Sequence, residues 1–510
     1  MLYRVCSTYY ITFLIFFFTF ASCVSSRIHP YHFNQKTAAP LLRKDVFLLK
    51  QILEANHPSL YWYITKDSLD NYFNTAIESI KDSLSETEFR NKVAYVISNI
   101  HCGHTSVRFS TNYTKEIEKN RTPHFPLLLK TWADTMVVIA NYFPKDSTLP
   151  RGTIITSING RTNKQILDSI FKLIGTDGHA DNYKSQVISG NFPSWYKLAF
   201  GVDSNYIVTY LDADKREKTT ILLNYADKPV KKIIANNKAD SAKPVKVQKT
   251  IVKRANKRLQ KKAALLAKRS LNIDTTTSTA YLRLTNFTQN RLKHFIRKSF
   301  KTLETNQTKN LIIDLRENTG GYVTNSNLLT KYLAAKPFKN ADTLAAITNA
   351  IKHPYYVRES LKYWLCAHLI SRKKADGRYH VFESEHHYYY PKKMHHFDGQ
   401  IYILQGGYTF SAATMVTATL NEQPNVHIIG EESGGGYYGN TATYLPTIIL
   451  PNSKLRIIMP MFRMVMDANR HKDGRGVMPQ IPVYPTIEAI KNGIDLKIQK
   501  ARSLISTNGY

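Results

Sequence analysis

Ser411 stands in the stretch Gly406-Gly407-Tyr408-Thr409-Phe410-Ser411-Ala412-Ala413, directly after the apolar run Gln400-Ile401-Tyr402-Ile403-Leu404. This pattern predicts a buried strand, a glycine turn and a helix beginning at the serine. The hydroxyl would then sit above a sheet edge, beside the first N–H groups of a helix, which have no intrahelical partner. Such donors, aided by the helix dipole, can hold an oxyanion while the hydroxyl attacks a carbonyl carbon. The same pattern also suits a serine that only caps a helix.

Two further stretches could complete that chemistry. Asn310-Leu311-Ile312-Ile313-Asp314 reads as a strand of the kind buried in a parallel sheet, and it runs through Leu315-Arg316-Glu317-Asn318-Thr319 into Gly320-Gly321. A glycine pair lets backbone amides approach a reacting carbonyl, although an ordinary strand-to-helix loop reads the same way. His101-Cys102-Gly103-His104-Thr105 closes a helical stretch and offers histidines, the side chains best matched to general-base work near neutral pH. A packed histidine or a zinc-binding pair are the alternatives, and no further His/Glu cluster has the spacing to complete a zinc site.

Several elements must position these groups. Leu42, Val46, Leu49, Ile52 and Leu53 recur at helical spacing, as do Leu69, Tyr72, Phe73, Ile77 and Ile80, and residues 89–100 form a third helical run. Residues 122–224 are predicted strand-rich. Leu149–Arg161 within them forms a short strand ending in Asn159-Gly160, a tight-turn signal. From Thr275 onward strands and helices alternate: strands at 281–284, 310–314, 400–404 and 426–429, helices at 291–303, 325–334 and 411–420, and a terminal hairpin over 443–465. That alternation argues an α/β layer architecture.

Taken together, the stretches resemble the tail-specific (C-terminal processing) serine peptidases. The resemblance rests on Asp314-Leu315-Arg316-Glu317-Asn318-Thr319-Gly320-Gly321, Thr409-Phe410-Ser411-Ala412, Gly430-Glu431-Glu432-Ser433-Gly434-Gly435 and Gly103-His104-Thr105. It implies a crotonase-like (ClpP/crotonase) α/β catalytic core at 273–500. It also implies an N-terminal helical region at 35–118 carrying the catalytic histidine, and a small PDZ-like β-rich module at 119–226 resembling peptide binders that add a strand to a sheet edge. One branch of the family uses a lysine about twenty-five residues after the serine, a place filled here by Gly436, and no Lys or Arg lies between Ser411 and Lys454. The chain therefore resembles the tricorn-like branch (with the retinoid-binding-protein-like catalytic domains), which implies His104 as base and Asp473, before Gly476-Val477-Met478-Pro479, as the acid. Ala412 with Gly320 or Gly321 would form the oxyanion hole, over an acyl-enzyme on Ser411. The resemblance implies a protein or peptide substrate, no cofactor and no metal. A catalytically inactive relative acting as an exported peptide-binding protein is the alternative reading, although both Ser411 and His104 are retained.

The 510 residues predict two to four domains, and their net charge of +32 invites nucleic acid or an anionic surface as partner. Much of the excess is local: residues 231–269 hold 14 Lys/Arg against the single acid Asp240. Without aromatic side chains or a nucleic-acid motif, this stretch reads as a solvated linker or insertion at 227–272, and no nucleic-acid partner is expected. Glu385–His396 is rich in His and Tyr and reads as a solvent-facing lid or insertion, with a metal site or cleft lining as the rival. At the N-terminus, Arg4, the apolar run Ile11–Phe20 and Ala21-Ser22-Cys23 read as a leader at 1–23. Cleavage before Cys23 would leave a lipid-carrying cysteine. The expectation is an exported protein, periplasmic or tethered to the outer membrane of a Gram-negative bacterium. Cys102 and Cys366 remain, and nothing demands that they pair.

Overall fold

Three amphipathic helices, α1 (Ala39–Asn56), α2 (Lys66–Glu78) and α3 (Glu86–Ser98), lie at the three stretches of helical periodicity. Thr65 caps α2, and Ser85 with Glu88 forms a capping box on α3, which fixes where each begins. The computed structural model describes residues 31–120, 122–226, 259–288 and 291–507. The expected leader, Cys23 and most of the basic stretch lie outside the described residues; 259–266 at the end of that stretch are helical.

After α3 a turn carrying His104 leads into β1 (Ser106–Arg108). β1 pairs antiparallel with Arg456–Ile458 of the late hairpin, with Val107 opposite Ile457. The hairpin expected over 443–465 is present, as Thr447–Ile449 pairs with Arg456–Ile458 and Gly439–Ala442 with Phe462–Val465.

The next region holds an antiparallel sheet in sequential order: β2 (Leu127–Trp132), β3 (Thr135–Asn141), β4 (Ile154–Ile158), β5 (Asn205–Leu211) and β6 (Glu217–Leu223). Asn159 and Gly160 both have positive φ (50° and 75°) and pair Ile158 with Arg161, the geometry their sequence predicts. Three helices sit in this strand-rich stretch: α4 (Asn163–Phe171), α5 (Asp181–Gly190) and α6 (Phe192–Phe200). At nine or ten residues each, they are too short for periodicity to stand out.

The region expected to be catalytic forms a six-stranded sheet, here called the catalytic sheet, also in chain order: β7 (Arg269–Asp274), β8 (Thr279–Leu284), β9 (Asn310–Asp314), β10 (Gln400–Gln405), β11 (Val426–Gly430) and β12 (Ile481–Pro482). β7 runs antiparallel to β8 and the rest are parallel. The crossovers carry α7 (Leu292–Thr305), α8 (Val323–Leu333) and α9 (Ala412–Leu420). The central strands are buried on both faces, which explains their continuous apolar runs. One face of the sheet shares a hydrophobic core with α1–α3, through residues such as Leu42, Leu53, Phe89, Leu311 and Val416. The opposite face packs on the last helix, α10 (Leu496–Thr507), through Ala501 and Ile498. The β2–β6 region has a separate core around Phe125, Tyr196 and Tyr206. The helical N-terminus is thus one packing unit with the catalytic sheet, whereas the β2–β6 region packs on itself.

Candidate active site

β9 and β10 are neighbours, so the loops leaving their C-terminal ends lie side by side. In open parallel sheets that is where ligands bind. The glycine pair leaves β9 and Ser411 leaves β10. Phe410 N–H donates to the Asn318 carbonyl (3.0 Å), Asn318 Nδ2 to the Leu284 carbonyl (3.0 Å), and the buried Thr409 hydroxyl to the Leu315 carbonyl (2.9 Å). The two loops are therefore one hydrogen-bonded unit. Asn318 and Thr409, both within the stretches that carry the family resemblance, are the residues that tie the two loops together.

Ser411 has φ 53° and ψ −122°, a strained backbone for a residue with a Cβ, and heads α9. Its side chain makes no helix cap. The alternative of a plain N-cap serine is thereby removed. Gly320 (φ 91°) lies against it: a Cβ there would sit 2.7 Å from Ser411 Cβ and 2.9 Å from Ala412 N. Only glycine fits that approach. The Gly320 N–H donates to Asn318 Oδ1 (2.9 Å), so of the two glycine amides it is the one already engaged. Ala412 N–H opens α9 and has no intrahelical partner.

His104 reaches this point from across 307 residues, with Nε2 3.1 Å from Ser411 Oγ. Its ring packs on Phe410 (centroids 4.7 Å apart), and Gly103 is required because a Cβ there would meet that ring at 2.7 Å. Behind it, buried His57 accepts from Ser59 N–H at Nδ1, so its Nε2 donates to Thr105 Oγ1 (2.8 Å). Burial pushes the His104 imidazole down to about 4. It is neutral at neutral pH and free to accept a proton.

The structure does not bring Asp473 to His104. Asp473 is exposed, and its carboxylate accepts the Arg475 N–H (2.8 Å) in a turn with Gly474 (φ 75°). The carboxylate facing His104 is Asp177, with Oδ1 3.9 Å from Nδ1. Asp177 lies in the loop before α5 of the β2–β6 region. Its signal in the sequence, an acid between glycines in Gly175-Thr176-Asp177-Gly178-His179, is that of any turn. Burial raises its carboxyl to about 7, against the opposing effect of the Gly103 and Gly436 amides. Gly436, where a lysine base would have stood, faces this acid with its backbone.

Other expected features fall elsewhere. Glu385 is buried and accepts from His380 Nδ1 (2.6 Å), Lys374 Nζ (2.6 Å) and Leu344 N–H (2.9 Å), so it is a packing anchor and not part of a lid; the neighbouring His386, His387 and Tyr388 face solvent. Among the described residues no group of three His, Cys, Asp or Glu could hold a metal ion, and Cys102 and Cys366 are free thiols. A cavity of about 860 Å³ opens between the β2–β6 region and the catalytic sheet, lined in part by Lys130, Gln186, Thr319, Tyr408 and Glu431, so it adjoins both site loops.

Residues 278–483 match the model of peptidase family S41. No curated protein matches the chain. Among solved structures, mature CPAF complexed with lactacystin aligns with a TM-score of 0.63 at 12% identity, covering 92% of this chain and 98% of that one. Mature CPAF without it gives 0.60 at 12% identity, covering 92% and 96%. At such identity the likeness is one of fold.

Proposed function

We propose that the chain, whose residues 278–483 match the model of peptidase family S41, is a serine endopeptidase with Ser411 as nucleophile and His104 as base. The observation that carries this reading is the 3.1 Å contact between His104 Nε2 and Ser411 Oγ at the head of α9. Ser411 Oγ–H gives its proton to His104 Nε2 as Oγ bonds to the peptide carbonyl carbon, and the carbonyl electron pair moves onto oxygen. That oxyanion is received by the Ala412 N–H and by Gly321 N–H, the Gly320 amide being engaged by Asn318. Collapse expels the amine, which takes the proton from His104. Water, activated by the same imidazole, then releases the acyl group.

The catalytic sheet with its helical crossovers is read as crotonase-like. The β2–β6 region is read as PDZ-like, with the 860 Å³ cavity beside Thr319 and Tyr408 as the route by which a peptide chain reaches Ser411. Arg4, the apolar run and Ala21-Ser22-Cys23 support export and a lipid tether at Cys23. The test is fluorophosphonate labelling of the mature chain. Wild type should label and should cleave unfolded casein, while Ser411→Ala should do neither. His104→Ala should lose at least about 10³-fold in rate. A wild-type chain inert to probe and casein would favour the inactive peptide-binding alternative, and labelling that survives Ser411→Ala would put the nucleophile elsewhere.

A further inference from the structure

We propose that Asp177, supplied by the β2–β6 region, is the residue that orients His104, and that the segment around Asp473 is the latch that holds the Asp177 loop in place. The proposal rests on the serine-peptidase reading of Ser411 and His104.

Four observations carry it. First, the Asp177 side chain is 4% exposed and its Oδ1 accepts the N–H of Gly103, the residue before His104, at 2.8 Å. Carboxylate and imidazole are thus tied to one turn. Second, His104 Nδ1 and Asp177 Oδ2 are both buried without a hydrogen-bond partner. Leaving such groups unpaired is costly, and a movement of about 1 Å would bring His104 Nδ1 to bonding distance of Asp177 Oδ1, which lies 3.9 Å away and already accepts from Gly103. Third, the loop is clamped from both sides. Gly178 N–H donates to the His101 carbonyl (3.0 Å) and His179 N–H to the Gly474 carbonyl (2.8 Å). Gly178 (φ 56°) passes so close that a Cβ would lie 2.2 Å from Gly474 O. Fourth, Tyr63, Cys102 and Tyr183 feel the Asp177 carboxylate, and burial raises all three, so they stay protonated and neutral, while His101, which lines a small cavity with Asp177, is held below its ordinary value by burial and is neutral too. The positive charge that forms beside Asp177 during turnover is therefore the His104 imidazolium. In its ionised form, favoured above about pH 7, Asp177 fixes the tautomer with the proton on Nδ1, leaves Nε2 free for the Ser411 proton, and does not itself take up that proton.

The experiment compares the full mature chain with Asp177→Asn, Asp177→Glu and Asp473→Asn. The readouts are casein cleavage across pH, fluorophosphonate labelling rate, thermal unfolding, and the far-downfield proton resonance of an imidazole Nδ1–H bonded to carboxylate. Asp177→Asn should lower kcat by about 10²–10⁴-fold with KM little changed, remove the acid limb of the pH profile set by the His104–Asp177 pair, and abolish the resonance. Asp177→Glu should recover part of the rate. Asp473→Asn should stay within about threefold of wild type and keep the resonance. The proposal is overturned if Asp177→Asn keeps its rate and resonance, or if Asp473→Asn takes the loss instead. A wild type that neither labels nor cleaves would sink the peptidase reading, and the resonance would still report separately whether Asp177 holds His104.

Discussion

The helical N-terminus and the β2–β6 region each bring one side chain toward Ser411, and they are held in opposite ways. The helices merge into the hydrophobic core of the catalytic sheet, and β1, two residues after His104, is hydrogen-bonded into the late hairpin. His104 is therefore placed by the same packing that places Ser411. The β2–β6 region has its own core, and the Asp177 loop and α5 are seated largely by hydrogen bonds, Gly178 to His101, His179 to Gly474, Asn182 Nδ2 to the Glu432 carbonyl (2.9 Å) and Gln186 Nε2 to Glu431 (3.2 Å), beside ring contacts of Tyr183 with Phe410 and Tyr408. A polar seam can shift without unfolding either side, whereas a shared core cannot. The base is a fixed part of the site, and the acid is one the site must hold on to.

The largest effects should come from cutting the two cores. Leu53 and Phe125 are both fully buried, one in each. Leu53→Ala should cost about 2–5 kcal/mol and Phe125→Ala about 3–5 kcal/mol. The contrast lies in what loosens. Hydrogen exchange should show protection falling across α1–α3 and β8–β11 together in Leu53→Ala. In Phe125→Ala it should fall across 125–222 while the catalytic sheet stays protected. Uniform loss in both variants would show that the two cores act as one.

A smaller effect, on rate and not on fold, is expected at the seam. Gly178→Ala places a Cβ against Gly474 O and strains a positive φ. The loop must back away, carrying Asp177 off His104. Activity on casein should drop roughly 10–100-fold, with the fluorophosphonate still reacting only at Ser411. An unchanged rate would mean that the loop has more slack than its clamps imply.

How much of this was legible in the sequence follows from the same division. Ser411, the glycine pair and the strands beneath them could be read because each signal is local: a continuous apolar run, glycines, then helical spacing. The strand order was simple for the same reason, since every parallel crossover joins neighbours. His104 needed the resemblance, because nothing in Gly103-His104-Thr105 points 307 residues away. Asp177 was out of reach. Its role comes from a backbone contact with Gly103, 74 residues distant, and from a latch supplied by Gly474. The spacing from Gly476-Val477 points to Asp473, which lies one residue from the Gly474 carbonyl that holds the loop. The short helices α4–α6 were missed because their apolar faces span fewer than three turns.

The last and smallest prediction concerns the energetic consequence of holding an acid this way. Asp177 has its carboxyl raised to about 7 in the folded chain, against 3.8 for an ordinary aspartate. Between those values the folded state binds more protons than the unfolded state, so this group makes stability fall as pH rises from about 4 to 7. His104 works in the opposite sense. Held down to about 4 against 6.5, it makes stability rise over much of the same range. The wild-type curve should therefore be flatter than either group alone would make it. Asp177→Asn removes one side of the balance. The variant should match wild type near pH 4 and exceed it by up to about 4 kcal/mol at pH 8, measured by urea unfolding at a series of pH values. A variant less stable than wild type at pH 8 would mean that the carboxylate already accepts the Nδ1–H of neutral His104 in the resting enzyme. A gain in stability alongside a loss of turnover would identify Asp177 as a group kept for chemistry at the expense of the fold.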